Sequence, residues 1–159
     1  MNVWRLTKAK WAKTAYSGEG ARLFGSRWNN PGYPLVYTAE HISLAVLEIL
    51  VNTREAPFAA LQNVYKLIPA EFPVDLVESI TEAELPEGWN SVPAGPASKD
   101  FGDAWFVDSR SAVLQVPSVV IPEEYNCLIN PMHPDFGKIN IGEPQSLRVD
   151  LRLEQAGVG

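Results

Sequence analysis

GSRWNNPGYPLVYTAEHISLAVLEIL, residues 25–50, carries three structural signals in succession. Glycine, asparagine and proline crowd the first ten positions and predict turns. Residues 35–39 (LVYTA) then alternate in character and include β-branched and aromatic members, which predicts a strand. Residues 41–54 (HISLAVLEILVNTR) form a long apolar run of helical length, with Thr38 as its N-cap and Pro57 beyond its end. A turn, a short strand and a helix in 30 residues point to an α+β fold. Arg27 and Trp28 stand in the turn-rich part. Arginine is ordinarily a solvated surface residue, so a backbone built to hold one suggests that it grips an anion.

Outward from this stretch, short strands dominate. Residues 2–6 (NVWRL), 59–68 (AALQNVYKLI), 112–121 (AVLQVPSVVI), 126–130 (NCLIN) and 145–153 (QSLRVDLRL) read as strands, with a short one near 74–78. Residues 98–110 (SKDFGDAWFVDSR) read as a second helix. Residues 70–98 are otherwise rich in Pro, Glu and Gly and read as loops. Thirteen prolines, many at strand edges, favour short strands over a regular βαβ array. The expectation is one small α+β domain over residues 1–159, with a twisted, mainly antiparallel sheet and few helices.

Composition agrees with a folded domain. The chain has 159 residues and is 46% hydrophobic, long enough to bury roughly two thirds of its unfolded surface. No apolar run reaches the ~18 residues of a membrane span. The first residues, MNVWRLTKAK, lack the apolar core of a secretory signal. The only cysteine, Cys127, has no intrachain partner. A cytoplasmic protein is expected. The net charge is −6, yet residues 1–27 hold six basic residues against Glu19 alone. An acidic body repels nucleic acid, whereas a local basic patch suits a small anionic ligand.

Several common motifs are absent. GEGARLFG, residues 18–25, has Leu23 where the dinucleotide fingerprint needs its third glycine. His41, His133 and Cys127 do not fall at metal-ligand spacing. No serine stands in a G-x-S-x-G elbow. What remains is a set of scattered polar residues. Glu48 is the sole charge between Ile42 and Thr53, and His41, Asn52 and Glu55 lie near its stripe of the helix. Ser118 interrupts the apolar VPSVV, and Asn126 opens NCLINP. Each alone has a structural alternative: a solvated stripe for Glu48, a satisfied core hydroxyl for Ser118, a turn former for Asn126 and a core ring for Tyr37.

Taken together, residues 25–50, the later stretch LQVPSVVIPEEYNCLINPMHPDF (114–136) and VWRL (3–6) resemble the RES domain, named for its Arg, Glu and Ser. These are toxins of bacterial toxin–antitoxin pairs. Arg27, Tyr37, Glu48 and Ser118 match the family's arginine, tyrosine, glutamate and serine, and Arg5 and Asn126 fall on positions used around its pocket. The resemblance implies a fold related to ADP-ribosyltransferases, with NAD+ as substrate and no separate cofactor or metal. Arg27 would clamp the pyrophosphate, with Arg5 adding positive potential. Tyr37 would meet the nicotinamide or its ribose. Glu48 would stabilise the ribosyl cation, and Ser118 would bond the carboxamide or a phosphate oxygen, or position the acceptor. Asn126 would join Arg5, Arg27 and Tyr37 in binding NAD+. It further implies an Xre-like antitoxin over the active site, within a larger assembly that binds DNA through the antitoxin and not through this chain. Self-association as a dimer is the default expectation. Degradation of NAD+ by water or phosphate is the favoured activity. ADP-ribosylation of a protein, or a non-catalytic module binding a nucleotide or partner, are the alternatives. A nuclease is disfavoured by the acidic balance.

Overall fold

The structure is a computed structural model that describes residues 1–52, 58–150 and 152–153. The elements in chain order are β1 (Asn2–Lys8), α1 (Glu19–Phe24), β2 (Val36–Ala39), α2 (Ile42–Asn52), α3 (Phe58–Val64), β3 (Tyr65–Glu71), β4 (Val77–Ser79), α4 (Pro96–Asp108), β5 (Val113–Pro117), β6 (Tyr125–Ile129), β7 (Asn140–Ile141) and β8 (Gln145–Ser146). Short 3-10 turns link several of them, including one at Ala9–Thr14.

The strands form one sheet in the order β4-β5-β6-β2-β1-β3-β7, with β8 also on β3. Among the described residues only β4 and β5 pair in parallel; the other ladders are antiparallel. The α+β expectation therefore holds. Strand β2, read from the opening stretch, lies at the middle of the sheet. Its contact with β6 runs over four residue pairs, Val36↔Ile129 to Ala39↔Asn126. Its contact with β1 is a single pair, Trp4↔Ala39, although β1 pairs with β3 over its whole length. The sheet thus splays between β1 and β2. Arg5 bridges the gap, its Nη1 donating to the Tyr37 carbonyl at 2.8 Å.

Alternation along the strands divides the core. Val3, Val36, Ile68, Val113, Cys127 and Ile129 fill one side. Trp28, Leu35, Trp105, Leu114, Val116 and Leu128 pack beneath α4, and Leu44, Ala45, Leu61 and Leu67 pack around α2. Helix α4 approaches so closely that a Cβ on Gly102 would lie 1.9 Å from the Trp28 carbonyl oxygen.

Several element boundaries differ from the sequence reading. Residues 58–64 are helix, and β3 begins only at Tyr65. Ala-Ala-Leu-Gln favours helix, and Leu61 is buried in the cluster around α2. Strand β3 runs past Ile68, with Pro69 inside it. The proline carbonyl faces β7, accepting from Gly142 N at 2.9 Å, so its missing N–H falls in the gap between β8, paired at Lys66–Leu67, and β7, paired at Ala70–Glu71. Strand β5 stops at Pro117 because the Ser118 hydroxyl takes up the N–H groups of Val120 and Ile121 and turns the chain. Residues 147–150 are not strand; Leu147 drops into the α2 cluster and Asp150 accepts from Arg152 N. Around 74–78 the strand begins at Val77, after a 3-10 turn. Thr38 is no helix cap: it lies buried in β2 and donates to the Cys127 carbonyl. Helix α1 has no counterpart in the sequence reading. Glu55 and Pro57 lie outside the described residues.

Candidate active site

The turn that carries Arg27 is fastened from three directions. Asn29, fully buried, donates through Nδ2 to the carbonyls of Ala21, Asn30 and Tyr33. Its Oδ1 accepts the Tyr37 hydroxyl proton at 2.7 Å, and that same hydroxyl accepts the Trp28 N–H at 3.0 Å. Asn30 ties the turn to α4 through Asp103. Trp28 stacks on Trp89 with centroids 5.9 Å apart and meets Phe101 edge-on. A solvent-exposed turn would not need this network. Burial pushes the Tyr37 phenol well above its ordinary value, which keeps its proton available to Asn29.

Arg27 is half-buried. Its Nη1 donates to the carbonyls of Trp89 (3.1 Å) and Ser91 (3.0 Å), so the loop before α4 is pinned to it. The Nε–Nη2 edge of the guanidinium lies outside these bonds. Burial lowers its pKa, while Glu48 and Tyr37 act in the opposite sense, which places Arg27 within the field of that carboxylate. Burial likewise lowers the pKa of Arg5, whose Nε is buried without a hydrogen-bond acceptor among the described residues. Neither arginine forms an ion pair among the described residues.

Glu48 projects from the middle of α2. Its Oε1 accepts from Ser118 Oγ at 2.9 Å and from Asn126 Nδ2 at 2.6 Å. The serine is in turn held by the Val120 and Ile121 N–H groups, so the carboxylate is oriented by β6 and by the turn after β5 together. Glu48 is therefore held by two donors instead of pointing free into water, although it is only half-buried and Asn52 on the same stripe is exposed. Of its helical neighbours, His41 is exposed and reaches only Glu124, at 3.9 Å.

A cavity of about 500 Å³ opens where β1 and β2 diverge. Arg5, Tyr37, Glu48 and Asn126 line it, as does Asn52 from the end of α2. Two of the six residues expected at the site stand differently. Ser118 is fully buried and touches Glu48 instead of the cavity. Arg27 flanks the cavity without forming its wall. Asn29 is the residue that sequence reasoning missed. An asparagine before another asparagine and a proline reads as any turn former does, and only its burial against Tyr37 reveals what it holds. Among the described residues no group of His, Cys, Asp and Glu is arranged to hold a metal ion.

Comparison with known proteins bears on this arrangement. The family described as the RES domain matches residues 2–150. Toxin Res of Photorhabdus laumondii is 38% identical over 157 residues, covering 98% of this chain and 99% of that protein. Prs ADP-ribosylating toxin of a Sphingobium species is 43% identical over 140 residues, covering 86% and 85%. NAD(+) phosphorylase MbcT of Mycobacterium tuberculosis is 28% identical over 133 residues, 71% of this chain and 68% of that one. A chain of the crystal structure of the M. tuberculosis MbcT–MbcA toxin–antitoxin complex superposes with a TM-score of 0.69 at 21% identity, covering 98% of this chain and 87% of the other. That likeness establishes the shared fold.

Proposed function

The chain belongs to the RES domain family, and we propose that it is a cytoplasmic toxin that arrests growth by cleaving the nicotinamide–ribose bond of NAD+. The observation that carries this reading is one carboxylate, Glu48, held on a cavity wall by Ser118 and Asn126, with two arginines nearby that form no ion pair among the described residues. A dinucleotide supplies what that arrangement lacks. Its pyrophosphate offers oxygens to Arg5 and to the Nε–Nη2 edge of Arg27, and a planar guanidinium matches such oxygens in pairs.

The bond between ribose C1 and the pyridinium nitrogen breaks with its electron pair leaving on nitrogen. Nicotinamide departs neutral, so no general acid is needed. The ribose becomes oxocarbenium-like. Glu48 faces that charge, and because its oxygen is already held by two donors it need not reorganise as charge develops. Tyr37 orients the ring end of the substrate from the cavity wall. Ser118 acts through Glu48 as a positioning residue. Attack by phosphate yields ADP-ribose phosphate; attack by water yields ADP-ribose; either acceptor releases one proton. The MbcT relative supports phosphate as acceptor. Transfer to a protein side chain is the second reading, supported by the 43% identity to the Prs ADP-ribosylating toxin.

An Xre-like antitoxin would close the cavity and carry DNA binding for the pair, since this chain is acidic overall. The isolated chain should show no salt-sensitive binding to its operator, and sub-micromolar operator affinity would contradict this division of labour. The acceptor is identified by incubating purified chain with NAD+, with and without phosphate, and weighing the products. Nicotinamide with ADP-ribose phosphate assigns phosphorolysis, and nicotinamide with ADP-ribose assigns hydrolysis. NAD+ that is bound but unchanged, with and without added acceptor protein, would leave a binding module.

A further inference from the structure

We infer that Trp11 and Phe24 form an aromatic clamp for the purine base of the dinucleotide, at the open side of the cavity; this assignment rests on the proposed NAD+ site. Trp11 stands in the 3-10 turn Ala9–Thr14 and Phe24 ends α1, so the two rings come from separate elements. They are 56% and 82% exposed, and no other large aromatic among the described residues is exposed to that degree. Both line the one cavity that Glu48 lines. Single exposed apolar side chains are common and call for no explanation. Two exposed rings that coincide on the wall of the same cavity do.

The chemistry at this end differs from the chemistry near Glu48. There the wall offers a carboxylate and amides. Here it offers two aromatic rings with positive charge close by: Lys8 lines the same cavity, and Lys10 Nζ lies over one face of the Trp11 ring, 5.1 Å from its centroid, so a base would stack on the opposite face. A purine has a flat face that stacks on aromatic rings regardless of hydrogen bonding. The phosphate on its ribose would then lie toward the lysines. Nicotinamide, being cationic until it leaves, is poorly suited to an end that carries Lys8 on its wall and Lys10 over Trp11. The dinucleotide thus has one orientation, with its adenosine outward and its nicotinamide at Glu48.

The test uses the purified full chain and two probes, ADP-ribose, which carries the adenosine, and nicotinamide mononucleotide, which does not. Trp11→Ala and Phe24→Ala should each weaken ADP-ribose binding about tenfold, leave nicotinamide mononucleotide unchanged and keep the melting temperature. Trp11→Phe should retain most of the affinity. Leu23→Ser alters an exposed apolar neighbour outside the cavity wall and should change neither probe. Wild-type affinity for ADP-ribose in both alanine variants, equal loss for both probes, or no ADP-ribose binding by the wild-type chain would overturn the clamp. An equal loss of ADP-ribose binding in Leu23→Ser would do the same and mark the patch as a protein-docking surface. The two readings fail separately: clamp-dependent ADP-ribose binding with intact NAD+ rejects the catalytic reading alone, and NAD+ turnover with an unchanged KM in both alanine variants rejects the clamp alone.

Discussion

Arg27 donates through one nitrogen to the carbonyls of Trp89 and Ser91, and a lysine at this position has one nitrogen where the guanidinium has three. Arg27→Lys therefore keeps the charge and loses either the loop or the substrate. The variant should fold and lose turnover by roughly 10²-fold, the scale of a misplaced binding group, and Arg27→Ala should be worse. Near-full activity in the lysine variant would reduce Arg27 to a source of field. Ser118 makes a different prediction. Its hydroxyl meets Glu48 and two backbone N–H groups, not the cavity. Ser118→Ala should lower kcat while moving KM little, and a KM rise of equal size would mean that the hydroxyl contacts NAD+. At this scale the chain alone was not enough: Tyr37, Glu48 and Asn126 each had a structural alternative, and these residues and Arg5, which share one cavity, were named together through the resemblance to the RES domain. Asn29 was not, because its type was ordinary for a turn and its role comes from residues that fold against it.

Where an element is fixed by its own residues, pattern sufficed: β2 emerged almost at the expected bounds, and α2 begins one residue after its expected start. Where neighbours decide, it did not. Residues 58–64 became helix by packing beside α2, and residues 147–150 have no partner strand among the described residues. The register of α4 against the turn shows how strict such packing is. Alanine in a helix interior is ordinarily favoured over glycine by about 1 kcal/mol. At Gly102 the added methyl would meet the Trp28 carbonyl at 1.9 Å, and overpacking of this kind costs about 1–3 kcal/mol. The clash outweighs the propensity. Gly102→Ala should lower the melting temperature and, by shifting Trp28, reduce activity as well. An unchanged or higher melting temperature would show that α4 can retreat freely.

Charge and protonation act on the whole molecule. Burial raises the phenols of Tyr16 and Tyr37 far above the ordinary phenol value of about 10. The folded chain holds these protons where the unfolded chain releases them. Their contribution to stability is complete below pH ~10 and falls as pH rises beyond it. An alkaline titration followed by tyrosinate absorbance should show Tyr16 and Tyr37 ionising only together with unfolding; ionisation within a folded chain would contradict their burial. The same wholeness applies to catalysis, since α2, β6 and the turn after β5 must all be in place to aim one carboxylate. The direct measurement is nicotinamide release from NAD+ by the wild-type chain and by Glu48→Gln, with NAD+ affinity and melting temperature read on both. Release by the wild type, a loss of about 10²–10³ in turnover in the glutamine variant, little change in affinity and an equal or higher melting temperature are predicted. Equal turnover by the two folded proteins, or no release by either, would contradict the account.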